Sequence, residues 1–356
     1  MAARDTLTLV FGSTFAPWQM SGARAMVALY RVAALGLGLG SGSVPMFLSS
    51  MTAGTETKMA QGTPAIGIAL MLGAMSIVPV MDGIAKVLSA DYPVLQIVWA
   101  RYFFHLLLLL PFVLWRYGVR ALAVPNAKAQ ILRGGFLLVS TVLFFAAIAR
   151  MPLADALALV LVAPLVVTAL SPLVLSESVG PRRWAAVCVG FIGALIIVRP
   201  GQGVFDSAAL LALGAGCVYA FYILATRRLS GGAPPLITLT YTALVGAVVM
   251  TALLPWIWVT PSGEAIWLMA AMGAIAAVGH FMLIRAFDHG EASVLATFSY
   301  FEIVSTSIVG LVLFGDFPAF WTWVGIVIVA GSGLYISIRE RVRGVKPPTA
   351  AAPKDL

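Results

Sequence analysis

Glu302 stands in an uninterrupted apolar run, with Tyr300 two residues before it. The run extends over 292–314, long enough to cross a hydrocarbon core of about 30 Å at about 1.5 Å per residue. A carboxyl group at that depth is costly. It faces a protein interior or a water-filled path and marks ion or substrate traffic. No basic residue shares its helix, so any counter-charge must come from elsewhere. Glu302 therefore suits taking up and releasing a proton, or holding a cationic solute; the plainer reading is a hydrogen-bonded packing residue.

A second set of ionisable residues lies earlier in the chain. Asp82 and Lys86 are four apart, one turn along the same helix face, and Pro79 just before them loosens that helix. Arg101 follows beyond Pro93 and falls at a depth similar to that of Asp82 on an adjacent antiparallel segment. The group reads either as an ion-pair cluster that satisfies its own buried charge or as a place where Arg101 or Lys86 meets an anionic part of a solute. His280 lies mid-segment and either joins a proton relay with Glu302 or bridges two helices as a neutral ring. Tyr219, Tyr222, Tyr300 and Trp99 are aromatic residues with polar edges inside apolar runs. They can line an organic-solute pocket or simply pack. His105 and His289, near segment ends or loops, say less.

The elements that must carry these residues follow from hydropathy. Of 356 residues, 61% are hydrophobic and 10% charged, and the mean hydropathy is +1.01. Soluble domains carry about 25% charge, so this is a polytopic integral membrane protein. Apolar segments at 66–88, 94–115, 131–149, 153–175 and 184–198 are followed by five more at 208–226, 236–257, 266–287, 292–314 and 321–338. The expected fold is all-α, with about ten transmembrane helices joined by short links rich in turn residues. Short links make neighbouring helices antiparallel. Trp115, Trp184, Trp256, Trp258, Trp267, Trp321 and Trp323 fall near segment ends as interfacial anchors.

The net charge of +8 reflects membrane topology and points to no nucleic-acid partner. Arg116, Arg120, Lys128, Arg133, Arg182, Arg183, Arg227, Arg228, Arg285 and the tail residues Arg339, Arg341, Arg343 and Lys346 fall on one side; Arg150 and Arg199 fall on the other. The asymmetry predicts a multi-pass protein of the inner (cytoplasmic) membrane with both ends of the bundle in the cytoplasm. Cys188 and Cys217 sit inside apolar runs and form neither a disulfide framework nor a metal cluster. Residues 1–60 are broken up by charges and a glycine–serine patch. They read as a weakly ordered extension or as a spurious one ahead of a start at Met59, and N-terminal sequencing of the native protein decides between these. Residues 340–356 read as a disordered tail.

The chain repeats itself. With 160–177 laid beside 299–316, Ala163 falls on Glu302, Thr168 on Ser307, Glu177 on Asp316 and, in the same register, Trp184 on Trp323. Upstream, Gly73-Ala74 matches Gly214-Ala215 and Lys86 matches Arg227. Five segments is an odd number, so the halves, 65–200 and 206–339, cross the membrane in opposite senses. Inverted repeats of this kind build transporters with the solute site between the repeats, near the midplane.

The stretch ending Leu313-Phe314-Gly315-Asp316, its counterpart ending Leu175-Ser176-Glu177, and the tryptophan after each resemble the drug/metabolite transporter superfamily with two EamA-type five-helix units. Asp82-Gly83-Ile84-Ala85-Lys86, then Pro93, then Arg101, resembles the subgroup that includes S-adenosylmethionine uptake carriers. Ile303 stands where the family often has proline, while Pro164 keeps that position in the first half. The resemblance implies a secondary carrier for a small organic metabolite, a monomer or homodimer in the lipid bilayer, coupled to protons or working by exchange, with no cofactor. Two other classes stay in view, a membrane-embedded enzyme and a channel-like scaffold. Neither a P-loop signature nor His-Glu-x-x-His occurs in the sequence.

Overall fold

The structure is a computed structural model that describes residues 64–342 except 125, 176–178, 199–206, 230–232 and 290–291. The extension over 1–60 and the end of the tail lie outside the described residues. The first repeat comprises α1 (Pro64–Leu88), α2 (Val94–Tyr117), α3 (Ala127–Ile148), α4 (Leu153–Val160), α5 (Ala163–Val174) and α6 (Pro181–Val198). The second comprises α7 (Ser207–Arg228), α8 (Pro235–Leu253), α9 (Gly263–His289), α10 (Ala292–Ser299), α11 (Phe301–Phe314) and α12 (Phe320–Val342). Among the described residues there is no strand. Eight helical stretches are long and apolar enough to cross a bilayer, one of them Leu153–Val174 across the α4–α5 junction. Phe301–Phe314 and Phe320–Ile336 are shorter apolar helices. With α10 continuing into α11, the ten expected spans are all present. The protein is an all-α, multi-pass membrane protein built from two inverted five-span repeats.

The repeat shows most clearly in what touches what. The helix α1 packs on α9, as its counterpart α7 packs on α3. The α2–α9 contact is mirrored by α8–α3, and α1–α11 by α7 on α4 and α5. Two further contacts, α2–α8 and α6–α12, join an element to its own counterpart. The halves interleave, so the principal contacts lie between repeats.

Both fourth spans are broken at the same register. In the first half, Leu161 has φ −65° and ψ 0°, and Val162 has φ −68° and ψ −16°. In the second, Tyr300 has φ −65° and ψ −12°. These ψ values lie above the helical ψ of about −42° and tighten the turn locally. In the first half the cause is Pro164, which has no N–H to return to the carbonyl of Val160. Helix α7 comes close to that carbonyl: a Cβ on Gly216 would stand 2.9 Å from it. The second half has Ile303 instead of proline and breaks all the same. There the Ile303 N–H donates to the Tyr300 carbonyl at 3.1 Å, so the shape belongs to the repeat and not to the proline alone.

Successive spans run in opposite senses, which defines two faces. We call upper the face with the links around residues 89–93, 149–152, 254–262 and 315–319, and lower the face with those around 118–126 and 229–234. Long-range bonds tie the upper links together. Gln96 exchanges two bonds with the Val259 backbone, at 2.7 and 2.9 Å, and Tyr92 accepts from the Ser262 N–H at 3.1 Å.

Candidate functional site

Close helix packing sets the site. A Cβ on Gly246 of α8 would collide with the Tyr102 ring, and one on Gly273 of α9 with Phe104 and the His105 backbone. These glycines let α8 and α9 press against α2. The face that α2 then turns inward carries Arg101, Tyr102 and, one turn on, His105, all buried.

Arg101, 8% exposed, donates from Nη1 to Thr141 Oγ1 of α3 at 2.6 Å. Its guanidinium lies 5.2 Å from the Tyr102 ring centre and 5.7 Å from that of Phe145. Tyr102 and Thr141 share a further hydrogen bond of 2.9 Å. Thr141 in turn donates to the Leu137 carbonyl at 2.8 Å. Asp82, 5% exposed, projects from α1 into the electrostatic range of Arg101. The two form no ion pair among the described residues, so the similar depth read from sequence brings them together but not into contact.

Glu302 lies in the first turn of α11, just past the break. Its neighbours cover it only in part. Asp82 and Glu302 act on one another electrostatically across the boundary between repeats. Tyr219 of α7 is within electrostatic range of both Glu302 and Arg101, and it stacks on Tyr222 at 5.4 Å with 21° between ring planes. His280 bonds through Nδ1 to the Ala276 carbonyl at 2.8 Å, and its ring lies 5.7 Å from that of His105. Both imidazoles lie in the field of Arg101. Asp82, Arg101, Glu302, Tyr219, Tyr222 and His280 thus form one polar column down the middle of the bundle.

Lys86, Tyr300 and Trp99 point elsewhere. Lys86 turns to the upper face, where it donates to the Met151 carbonyl at 2.7 Å and pairs with Asp316 at 3.5 Å. It also lies 4.9 Å from the centre of the Phe314 ring. The turn that presents Asp316 is made by Gly315, at φ 70°, a left-handed conformation open to glycine at little cost. Tyr300 packs its hydroxyl against Gly333 of α12. Trp99 lies near the upper end of α2, bonded to Thr251 at 3.0 Å and edge-on to Trp258 at 5.7 Å, as an interfacial anchor would be.

His105 and Arg133 join the column. The sequence places His105 near a segment end, whereas it stands midway along α2 and is buried. His105 follows Arg101 by four residues, a spacing that already puts both on one helix face. Arg133 counted among the basic residues of a link, yet it ends the second turn of α3 and is 3% exposed. An outward-facing groove of about 460 Å³ between α6 and α12, lined by Arg182, Val189, Ile328, Ser332 and Tyr335 among others, is separate from the column.

A bundle of two inverted repeats with acids from both halves in its centre defines a membrane transporter. The profile of the EamA-like transporter family matches residues 65–199 and again 206–338, and the chain belongs to that family. The chain is 27% identical over 275 residues to an S-adenosylmethionine uptake transporter of Rickettsia prowazekii, covering 77% of this chain and 93% of that one. It is 28% identical over 279 residues to a riboflavin transporter of Vibrio cholerae, covering 77% and 93%. A pseudopaline exporter of Pseudomonas aeruginosa is 29% identical over 273 residues, covering 76% and 95%. A solved crystal structure, 17% identical, matches with a TM-score of 0.57 over 77% of this chain and 98% of that one, a likeness of fold. The protein is a transporter of a small metabolite, not an enzyme.

Proposed function

We propose that the chain is a secondary carrier that moves an organic metabolite bearing both a cationic and an anionic group by alternating access. The observation that carries this reading is the juxtaposition of Asp82 from the first repeat and Glu302 from the second, with Arg101 in the same electrostatic neighbourhood. Like charges held together in a poorly screened interior repel each other. A cationic substrate group relieves that repulsion, and so does a proton, so the two compete for the acid pair and exchange across the membrane. Arg101 takes the substrate's carboxylate and the Tyr219–Tyr222 stack its flat ring. S-adenosylmethionine, which a relative carries, has a sulfonium, an amino group, a carboxylate and an adenine, and it suits this donor set better than riboflavin, which lacks a fixed charge.

The orientation drawn from the basic residues puts the lower face in the cytoplasm of a cell inner membrane. The purified protein in liposomes, loaded with unlabelled S-adenosylmethionine, should accumulate the labelled compound by exchange and respond to an imposed pH gradient. Glu302→Gln should lower the initial rate at least tenfold at equal protein content. A Glu302→Gln variant that transports at the parent rate overturns the assignment of the acid pair.

A further inference from the structure

Arg133, on α3 and nearer the lower face, repeats the construction found at Arg101 on α2. Arg101 donates to a threonine hydroxyl on a neighbouring helix, Thr141, at 2.6 Å; Arg133 donates to one on α8, Thr242, also at 2.6 Å. The Arg101 guanidinium stands 5.2 Å from the Tyr102 ring centre, and the Arg133 guanidinium stands 5.2 Å from that of Tyr222. Each keeps a buried Nε with no hydrogen-bond partner. Arg133 adds a bond to the Thr238 carbonyl at 2.8 Å. Among the described residues neither guanidinium forms an ion pair with a carboxylate.

A buried guanidinium held only by neutral partners is costly to keep inside a membrane protein and marks an ion or substrate path. Thr141, the partner of Arg101, lies eight residues from Arg133 on α3, toward the upper face. At about 1.5 Å per residue the two stations are separated by about 12 Å along the bundle. Tyr222, against which Arg133 lies, stacks on Tyr219, and Tyr219 is in range of Glu302. The aromatic pair therefore connects the lower guanidinium to the acid pair.

Resting on the carrier reading above, we propose that Arg133 is a second binding station for the carboxylate of the transported metabolite. Arg101 receives that carboxylate when the site opens to the upper face, and Arg133 holds it when the site opens to the lower face. The substrate's cationic group stays with Asp82 and Glu302 while its anionic end changes partner. A fixed fork of N–H donors suits a carboxylate better than a lysine ammonium would.

The test is sided. In oriented proteoliposomes, half-saturation for labelled S-adenosylmethionine is measured separately from the upper and lower faces. Arg133→Gln should raise the lower-face value at least tenfold and leave the upper-face value within twofold; Arg101→Gln should do the reverse. The decarboxylated analogue, which keeps the sulfonium, should feel neither effect of Arg133→Gln. If Arg133→Gln fails to fold, Arg133→Lys keeps the charge without the fork and should show a smaller rise confined to the lower face. Half-saturation unchanged on both faces, raised equally on both, or raised equally for the decarboxylated analogue overturns the second station alone. A parent protein that carries neither compound overturns the carrier reading of the site and the station with it.

Discussion

At the scale of single residues, the charges of the column stand short of full neutralisation. Asp82 and Arg101 sense each other without forming an ion pair, and the Arg101 guanidinium is held in place by a neutral hydroxyl. Arg101→Lys keeps a cation but gives up the planar fork that reaches Thr141 and lies near the Tyr102 ring. Uptake by Arg101→Lys should show a half-saturation raised by roughly tenfold with the protein still folded, measured as initial rate against substrate concentration. Thr141→Val keeps the shape but removes the acceptor shared by Arg101 and Tyr102. Leaving a buried donor unpaired costs about 1–3 kcal/mol, and more when it is charged, and the thermal midpoint of Thr141→Val in detergent should fall accordingly. His105 was legible from its spacing to Arg101. Arg133 was not, because a basic residue near a helix start reads equally well as a loop charge held in water and as a buried one.

The elements were the most legible part of the protein. Ten long apolar runs bounded by Pro, Gly and Arg identify the spans with little ambiguity, because a backbone in hydrocarbon must satisfy its own hydrogen bonds. The face each helix turns inward was much less legible. Lipid and protein interior are both apolar, so the apolar residues of α8 are spread evenly round it and leave no stripe to mark its buried side. Gly246 is the key to that side, because it admits the Tyr102 ring. Gly246→Val should push the ring, displace Arg101 and cost about 1–3 kcal/mol, read as a lower thermal midpoint together with slowed uptake. Lys86 shows the same limit: its i,i+4 spacing from Asp82 was plain, whereas its partners, Met151 and Asp316, lie on links whose placement depends on the whole bundle. That ion pair ties α1 to the turn after α11 at the upper face. Lys86→Asp should increase labelling, by a membrane-impermeant thiol reagent, of a cysteine introduced in the upper half of the bundle. The double variant Lys86→Asp with Asp316→Lys should bring labelling back toward the parent level.

At the scale of the whole molecule, the scaffold has an approximate two-fold symmetry and the site does not. Ala163 stands at the first turn after one break and Glu302 at the first turn after the other. The repeat was visible in the sequence through Trp184 and Trp323 and through Glu177 and Asp316. The interleaving was not, because an alignment of halves says nothing about which helix of one half lies beside which of the other. A reporter that fluoresces only in the cytoplasm, fused after Val342, should light up if the basic lower face is cytoplasmic. A dark fusion at normal expression would reverse the orientation.

The interleaved contacts also bear on how the protein is made. Helices α1, α2 and α3 find their main neighbours among α7, α8, α9 and α11, which leave the ribosome later. The first half must therefore wait in the bilayer, with Arg133 lacking Thr238, Thr242 and Tyr222, until the second half arrives to enclose it. Expressed alone, residues 64–198 should be cleared by membrane proteases. Co-expressed with 207–342 as a separate chain, both fragments should persist and co-purify. Each half thus acts as the other's chaperone, and quality control has a simple signal to read: an arginine still facing lipid.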